Sequence, residues 1–307
     1  MKKTLATLIL GLMLTIGGSI VCAGPLEDGL AAAQRSDYAT ALRLWRPLAD
    51  RGNASAQHNL GVMYSNGHGV PQDYIEAVKW YRKAAEQGFA DAQFNLGNIY
   101  LNGRGVPQDY AEAVKWYRRA ADLGHADAQL NLGFLYENGR GVPQSDAEAL
   151  KWYRLAADQG NAFAQFNLGL MYANGQGVPQ NYAEAVKWYR LAADQGKAEA
   201  QINLGLMYAN GQGVPQNYAE AVKWYRRAAD QGNADAQINL GLMYANGQGV
   251  PQNFVRAHMW FNLSVTKGNK NAAKYRDLAA GRMTPEQLAQ AQEMTRKCQL
   301  SNYKQCD

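Results

Sequence analysis

Four histidines and three cysteines are all that 307 residues offer for metal or thiol chemistry. His58, His68, His125 and His258 form neither His-x-x-x-His nor His-Glu-x-x-His, the spacings that bring two imidazoles to one face of a helix, and no Gly-x-Ser-x-Gly elbow presents a nucleophilic serine. Ser-x-x-Lys occurs from Ser264 to Lys267 and again from Ser301 to Lys304. Neither string is accompanied by Ser-Asp-Asn or Lys-Thr-Gly, so both read as coincidences. Glu76, Glu112, Glu148, Glu184 and Glu220 each stand three residues after a capping residue, a placement that suits helix starts better than acid–base work. The recurring Asn-Gly-x-Gly-Val-Pro-Gln invites a phosphate-cradle reading, but it lacks the third glycine and the preceding strand of a dinucleotide fingerprint and reads as turn chemistry. No cofactor, no metal and no reaction mechanism is expected; the chain does not read as an enzyme.

The first 23 residues carry a basic opening, Lys2-Lys3, and an apolar run from Leu5 to Val21, followed by Val21-Cys22-Ala23 at a plausible cleavage site. This predicts a signal peptide, a mature chain from about Gly24 and no membrane span after cleavage; acylation of Cys22 is the rival reading. Removal of Lys2 and Lys3 leaves 29 basic against 26 acidic residues, a balance of +3 that argues against nucleic-acid binding. In an oxidising compartment the two remaining cysteines, Cys298 and Cys306, are expected to form a disulfide. The location expected is periplasmic or secreted, and the protein is expected to be a monomer.

All seven tryptophans, at 45, 80, 116, 152, 188, 224 and 260, sit on one ladder whose first step is 35 residues and whose others are 36. A fixed period of this size means stacked supersecondary units. Each unit parses into two helices. The first runs from about Ala54 to Tyr64 and ends at Asn66-Gly67, where glycine accepts a left-handed conformation. The second opens at Asp73, Asp109, Ser145, Asn181 or Asn217, each with Glu three residues on, which predicts capping boxes or close variants. Ala77, Val78, Trp80, Tyr81, Ala84 and Ala85 then keep the spacing of a buried helical face. Such a pair cannot bury its apolar faces alone, so neighbouring pairs must stack.

The text Ala-x-Ala-Gln-x-Asn-Leu-Gly-x-x-Tyr, followed by Asn-Gly-x-Gly-Val-Pro-Gln and Glu-Ala-Val-Lys-Trp-Tyr-Arg-x-Ala-Ala, resembles the Sel1-like repeat, a relative of the tetratricopeptide repeat. The resemblance implies an all-α fold, a right-handed α/α solenoid of Sel1-like helix-pair repeats whose first helices line the concave surface. It also implies an adaptor or scaffold role. A cysteine-rich branch linked to β-lactams carries a Cys pair in each repeat, and no repeat here contains cysteine. The organisation expected is a shortened repeat over 24–53, six 36-residue repeats over 54–269 and capping helices over 270–307. Pro47 falls within the second helix of the shortened repeat and is expected to kink or end it. Thr284-Pro285-Glu286-Gln287 opens a further helix.

With Ala54, Ala90 and their equivalents as position one, positions three, seven, ten and eleven form the stacking side of the first helix, while positions two, five, nine and twelve face away from it. The second side is also apolar. Phe94, Leu130, Phe166 and Ile202 stand at position five, and Asn98, Phe134, Leu170 and Leu206 at position nine. Leu101 and Glu137 stand at position twelve, with Arg104 and Arg140 in the loops that follow. If the family geometry holds, this stripe offers an unidentified protein or peptide an apolar surface, with Glu137, Arg104 and Arg140 for selectivity. The same pattern would arise if neighbouring first helices sealed these side chains in a second core seam. The recurrent Asn59, Asn95, Asn131, Asn167, Asn203 and Asn239 either bond a peptide backbone or tie the helices together. A cell-envelope hydrolase of β-lactams or cell-wall fragments, and a spacer without a ligand, are the alternative functions.

Overall fold

A computed structural model describes residues 24–304 and 306; the signal-peptide reading lies outside them. Among the described residues there are sixteen α-helices and no strand, arranged as consecutive helix pairs of the α/α solenoid class. The chain divides into two compact units, residues 1–83 and 84–307.

The first unit holds α1 (Pro25–Gln34), α2 (Tyr38–Asp50), α3 (Ala54–Asn66) and most of α4 (Tyr74–Glu86). Its core gathers Ala32, Ala41, Trp45, Ala49, Ala56, Leu60, Met63 and Trp80. Trp45 donates its indole N–H to the Leu26 carbonyl at 3.1 Å, satisfying a polar atom that burial would otherwise penalise. Pro47 does not end α2, which continues to Asp50. Only one turn remains beyond the proline, and the Pro47 carbonyl accepts a 3.1 Å bond from Arg51 Nε near that end.

The second unit continues with α5 (Ala90–Asn102), α6 (Tyr110–Asp122), α7 (Ala126–Glu137), α8 (Asp146–Asp158), α9 (Ala162–Asn174), α10 (Tyr182–Asp194), α11 (Ala198–Asn210) and α12 (Tyr218–Ala229). It closes with α13 (Ala234–Asn246), α14 (Phe254–Thr266), α15 (Lys270–Ala280) and α16 (Pro285–Leu300). Helix starts follow the expected chemistry with one difference. Asp109, Ser145, Asn181 and Asn217 accept from the backbone N–H three residues on, yet the glutamate at that position does not reach back. It pairs with the lysine three residues further along, as in Glu112–Lys115 at 3.0 Å. The reciprocal box is complete at Thr284 and Gln287 on α16. Most first helices end as expected on a left-handed glycine, such as Gly175 at φ 71°.

Two contacts repeat down the array and set its spacing. The glutamine at position four is buried and donates Nε2 to an alanine carbonyl eight residues back, as Gln165 does to Ala157 at 3.1 Å. In the middle of the array, at Gln129, Gln165 and Gln201, Oε1 also accepts from a glutamine thirty residues on, as Gln165 does from Gln195 at 2.8 Å. The glycine at position eight lies against the tyrosine ring of the second helix, so close that a Cβ on Gly133 would meet Tyr153 Cδ1 at 2.7 Å. Backbone and ring therefore approach closely enough to exclude water without a cavity.

Candidate partner-binding surface

Position three, seven and ten side chains such as Ala128, Leu132 and Leu135 are fully buried, so the stacking side of the first helices is where the spacing put it. The opposite stripe divides rung by rung. Phe94 is half-buried, its ring 4.5 Å from that of His125 and 5.9 Å from that of Tyr117. Leu101 and Leu130 pack in part against the core around Tyr117 and Tyr153. Phe166 and Leu170 do the same around Tyr189, and the Phe166 and Tyr189 rings lie 6.0 Å apart. Ile202 is only 9% exposed and belongs to the core, because it packs in the cluster that contains Tyr225; it is not an accessible anchor. Phe134 and Leu206 are open, at 42% and 37% exposure. The stripe is therefore neither a continuous open surface nor a sealed seam.

The charged and polar residues around Phe134 each find an aromatic partner. The Arg140 guanidinium lies 5.6 Å from the Phe134 ring centroid and 5.9 Å from that of Tyr110, within cation–π range of both. Glu137 accepts a 2.6 Å bond from the Tyr153 hydroxyl, and Asn98 accepts one of 2.7 Å from Tyr117. Glu137, expected to select a partner, and Asn98, expected on the binding stripe, thus spend part of their bonding capacity inside the fold. Arg104 is exposed in the loop after α5. Of the position-six asparagines, Asn131, Asn167 and Asn203 lie beside the hydroxyls of Tyr117, Tyr153 and Tyr189 and favour their ionised form, against the effect of burial. Burial pushes the titration of all three tyrosines upward, that of Tyr189 to about 12.

The serines of the two Ser-x-x-Lys strings are engaged in bonds to backbone carbonyls. Ser264 is fully buried and donates to the Ala234 carbonyl at 2.8 Å, and Ser301 donates to the Cys298 carbonyl at 2.8 Å. Cys298 and Cys306 form a disulfide. Among the described residues no group of three or more His, Cys, Asp or Glu side chains is placed to hold a metal ion, and no helix is long and apolar enough to cross a membrane.

A feature that spacing did not reveal lies at the C-terminal end of the second unit. A cavity of about 430 Å³ is walled by Leu242, Phe254, Phe261, Tyr275, Leu278 and Ala279, with Arg282 at its edge. A second, of about 750 Å³, adjoins Arg256, Arg282 and Lys297. The signal available in the sequence was the departure of the last repeat from its own pattern, with Arg256 where the others have glutamate and Phe261 where they have tyrosine.

The Sel1 repeat family model matches residues 24–53, 54–89, 90–125, 126–161, 162–197, 198–233 and 234–269. The crystal structure of a Sel1 repeat protein from Oxalobacter formigenes is 37% identical, with a TM-score of 0.69, covering 79% of this chain and 97% of that one. A protective antigen present in uropathogenic Escherichia coli strains, with an SLR fold, is 28% identical over 91% of this chain and 85% of that one, with a TM-score of 0.39. Immunity protein Pa5087 from Pseudomonas aeruginosa is 22% identical over 69% and 81%, with a TM-score of 0.40. The comparison with curated proteins returns no match.

Proposed function

The chain belongs to the Sel1 repeat family, whose members are in general protein-interaction scaffolds without enzymatic activity, and from that premise we propose that it is an exported scaffold or adaptor binding a protein or peptide in the concave groove lined by its first helices. The observation that carries this reading is the exposure of Phe134, at 42%, under the Arg140 guanidinium. A large aromatic left open on a rigid helix with a cation over its face is the composition of an interface anchor. Leu206 adds a second open apolar side chain, and the half-buried Phe94, Leu130, Phe166 and Leu170 supply graded contact between and beside them. Arg104 and Arg140 furnish charge on the loops, with Asn98, Leu101 and the remaining oxygen of Glu137 at the margin of the surface. Export accords with the basic and apolar N-terminus and with the Cys298–Cys306 disulfide.

The test is affinity capture from the cell envelope with the mature chain as bait, followed by a titration of the captured protein against variants. Phe134→Ala and Leu206→Ala remove exposed side chains, so both variants should fold and lose about tenfold or more in affinity as a pair. Undiminished binding by a folded double variant would remove this surface from consideration.

A further inference from the structure

We propose that the C-terminal end of the second unit is a separate site for an acidic peptide segment, one that places a side-chain carboxylate beside a bulky apolar residue. The two cavities there share Gln252, Phe254 and Arg282, so whatever occupies one reaches the other. The smaller has apolar walls and takes a large side chain: Leu278 is 61% exposed and Tyr275 36%, with the Tyr275 ring stacked on that of Phe261 at 5.6 Å. The larger is cationic, with Arg256, Arg282 and Lys297 along it and no carboxylate among the residues lining either cavity.

The sign of this charge is peculiar to the last repeat. Every equivalent of Arg256 in the five repeats before it is glutamate, and every equivalent of Met259 is the lysine that pairs with it, as in Glu220 and Lys223. Here the acid has become a base and the pair is gone. Arg256 is steered by a 3.2 Å bond from Nη1 to the Tyr244 hydroxyl. Arg282 makes no ion pair among the described residues, and it is exposed. Glu293 reaches Lys297 at 3.8 Å, but Arg296 holds it through two bonds of 2.7 Å, so it offsets little of the cavity's charge. Arginine presents its donors in a planar fork that fits a carboxylate. The side-chain amide of Gln290 and the Nε2 of Gln287, whose Oε1 accepts from the Thr284 N–H, suit a peptide backbone rather than an aliphatic tail. Both volumes lie in the range of ligand pockets.

The experiment is selection of a displayed random-peptide library on the immobilised mature chain, then anisotropy titration of the most enriched peptide. Enriched sequences should pair Asp or Glu with an adjacent Phe, Leu, Ile or Trp. Arg282→Glu and Leu278→Asp should each weaken the peptide about tenfold or more, and added salt should weaken it too. Arg282→Gln, which removes the charge alone, stands in if the reversal perturbs folding. Phe134→Ala should leave this binding unchanged, which keeps the outcome independent of the groove along the first helices. The proposal fails if enriched peptides lack an acid, if their binding survives both Arg282→Glu and Leu278→Asp, or if dodecanoate binds there while no peptide is enriched.

Discussion

Gly169 lies beneath the ring of Tyr189, so close that a Cβ on the glycine would stand 2.6 Å from Cδ1. Tyr189 is buried, at 1% exposure. The ring therefore has little freedom to retreat. Gly169→Ala is expected to destabilise the second unit by about 1–3 kcal/mol, the usual cost of overpacking a filled core. Denaturant unfolding checks this, and Gly169→Ala combined with Tyr189→Leu should recover part of the loss. Wild-type stability in the single variant would mean the contact is looser than described.

Gln165 ties three successive segments together, donating to Ala157 at 3.1 Å and accepting from Gln195 at 2.8 Å. Gln165→Leu keeps the bulk but leaves a carbonyl and an amide without partners in a buried place. A loss of about 1–3 kcal/mol is expected, larger than for an exposed glutamine such as Gln176. Thermal unfolding of the two variants side by side makes the comparison. Equal midpoints would count against the staple.

Burial raises the phenol pKa of Tyr81 and Tyr189 from 10.0 to about 12. A folded-state pKa above the unfolded value means that the associated stability is fully present below pH 10 and drains away as the pH climbs toward 12. Each tyrosine contributes on the order of 2 kcal/mol to this alkaline limb. Tyrosinate absorbance followed against pH should show these phenols ionising late, together with loss of helix. Ionisation of all tyrosines near pH 10 with the helices intact would contradict it.

His258 gives the opposite limb. It is 4% exposed, its Nδ1 has no hydrogen-bond partner among the described residues, and burial lowers its pKa from 6.5, with Arg276 lowering it further and Asp277 opposing. A depressed folded-state pKa means that stability is present above about 6.5 and is lost as the pH falls through the folded value. Acidification should therefore weaken the C-terminal end, and His258→Asn should flatten that dependence. Hydrogen exchange in α14 and α15 at two pH values measures it.

The Cys298–Cys306 disulfide closes a short loop, with a sequence separation of 8, so the loop-entropy model allows it at most about 3 kcal/mol. Repeat arrays couple mainly between neighbours. Reduction should therefore lower protection of amides in α14 and α16 while leaving α6 to α10 unchanged. Hydrogen exchange with and without reductant separates this from a uniform loss along the chain, which would speak for global coupling.

The period of the tryptophans, the capping residues and the Asn-Gly stops were enough to set the helix pairs of the six full-length repeats and their register, because caps and turns act through bonds within a few residues of each other. The same local reasoning placed Leu132 and Leu168 in the core. It could not tell Ile202 from Leu206, which share one helix face, because burial depends on what the neighbouring helix lays over each. Nor could spacing show that Glu112 turns to Lys115 rather than back to its cap, or that α2 runs on past Pro47 to Asp50. The cavities around Arg282 draw on α13 to α16, from Leu242 to Lys297. Position along the chain fixes the angle at which a side chain leaves its own helix; the distance to the next helix, and so whether that side chain is covered, paired or open, is decided only when the helices pack.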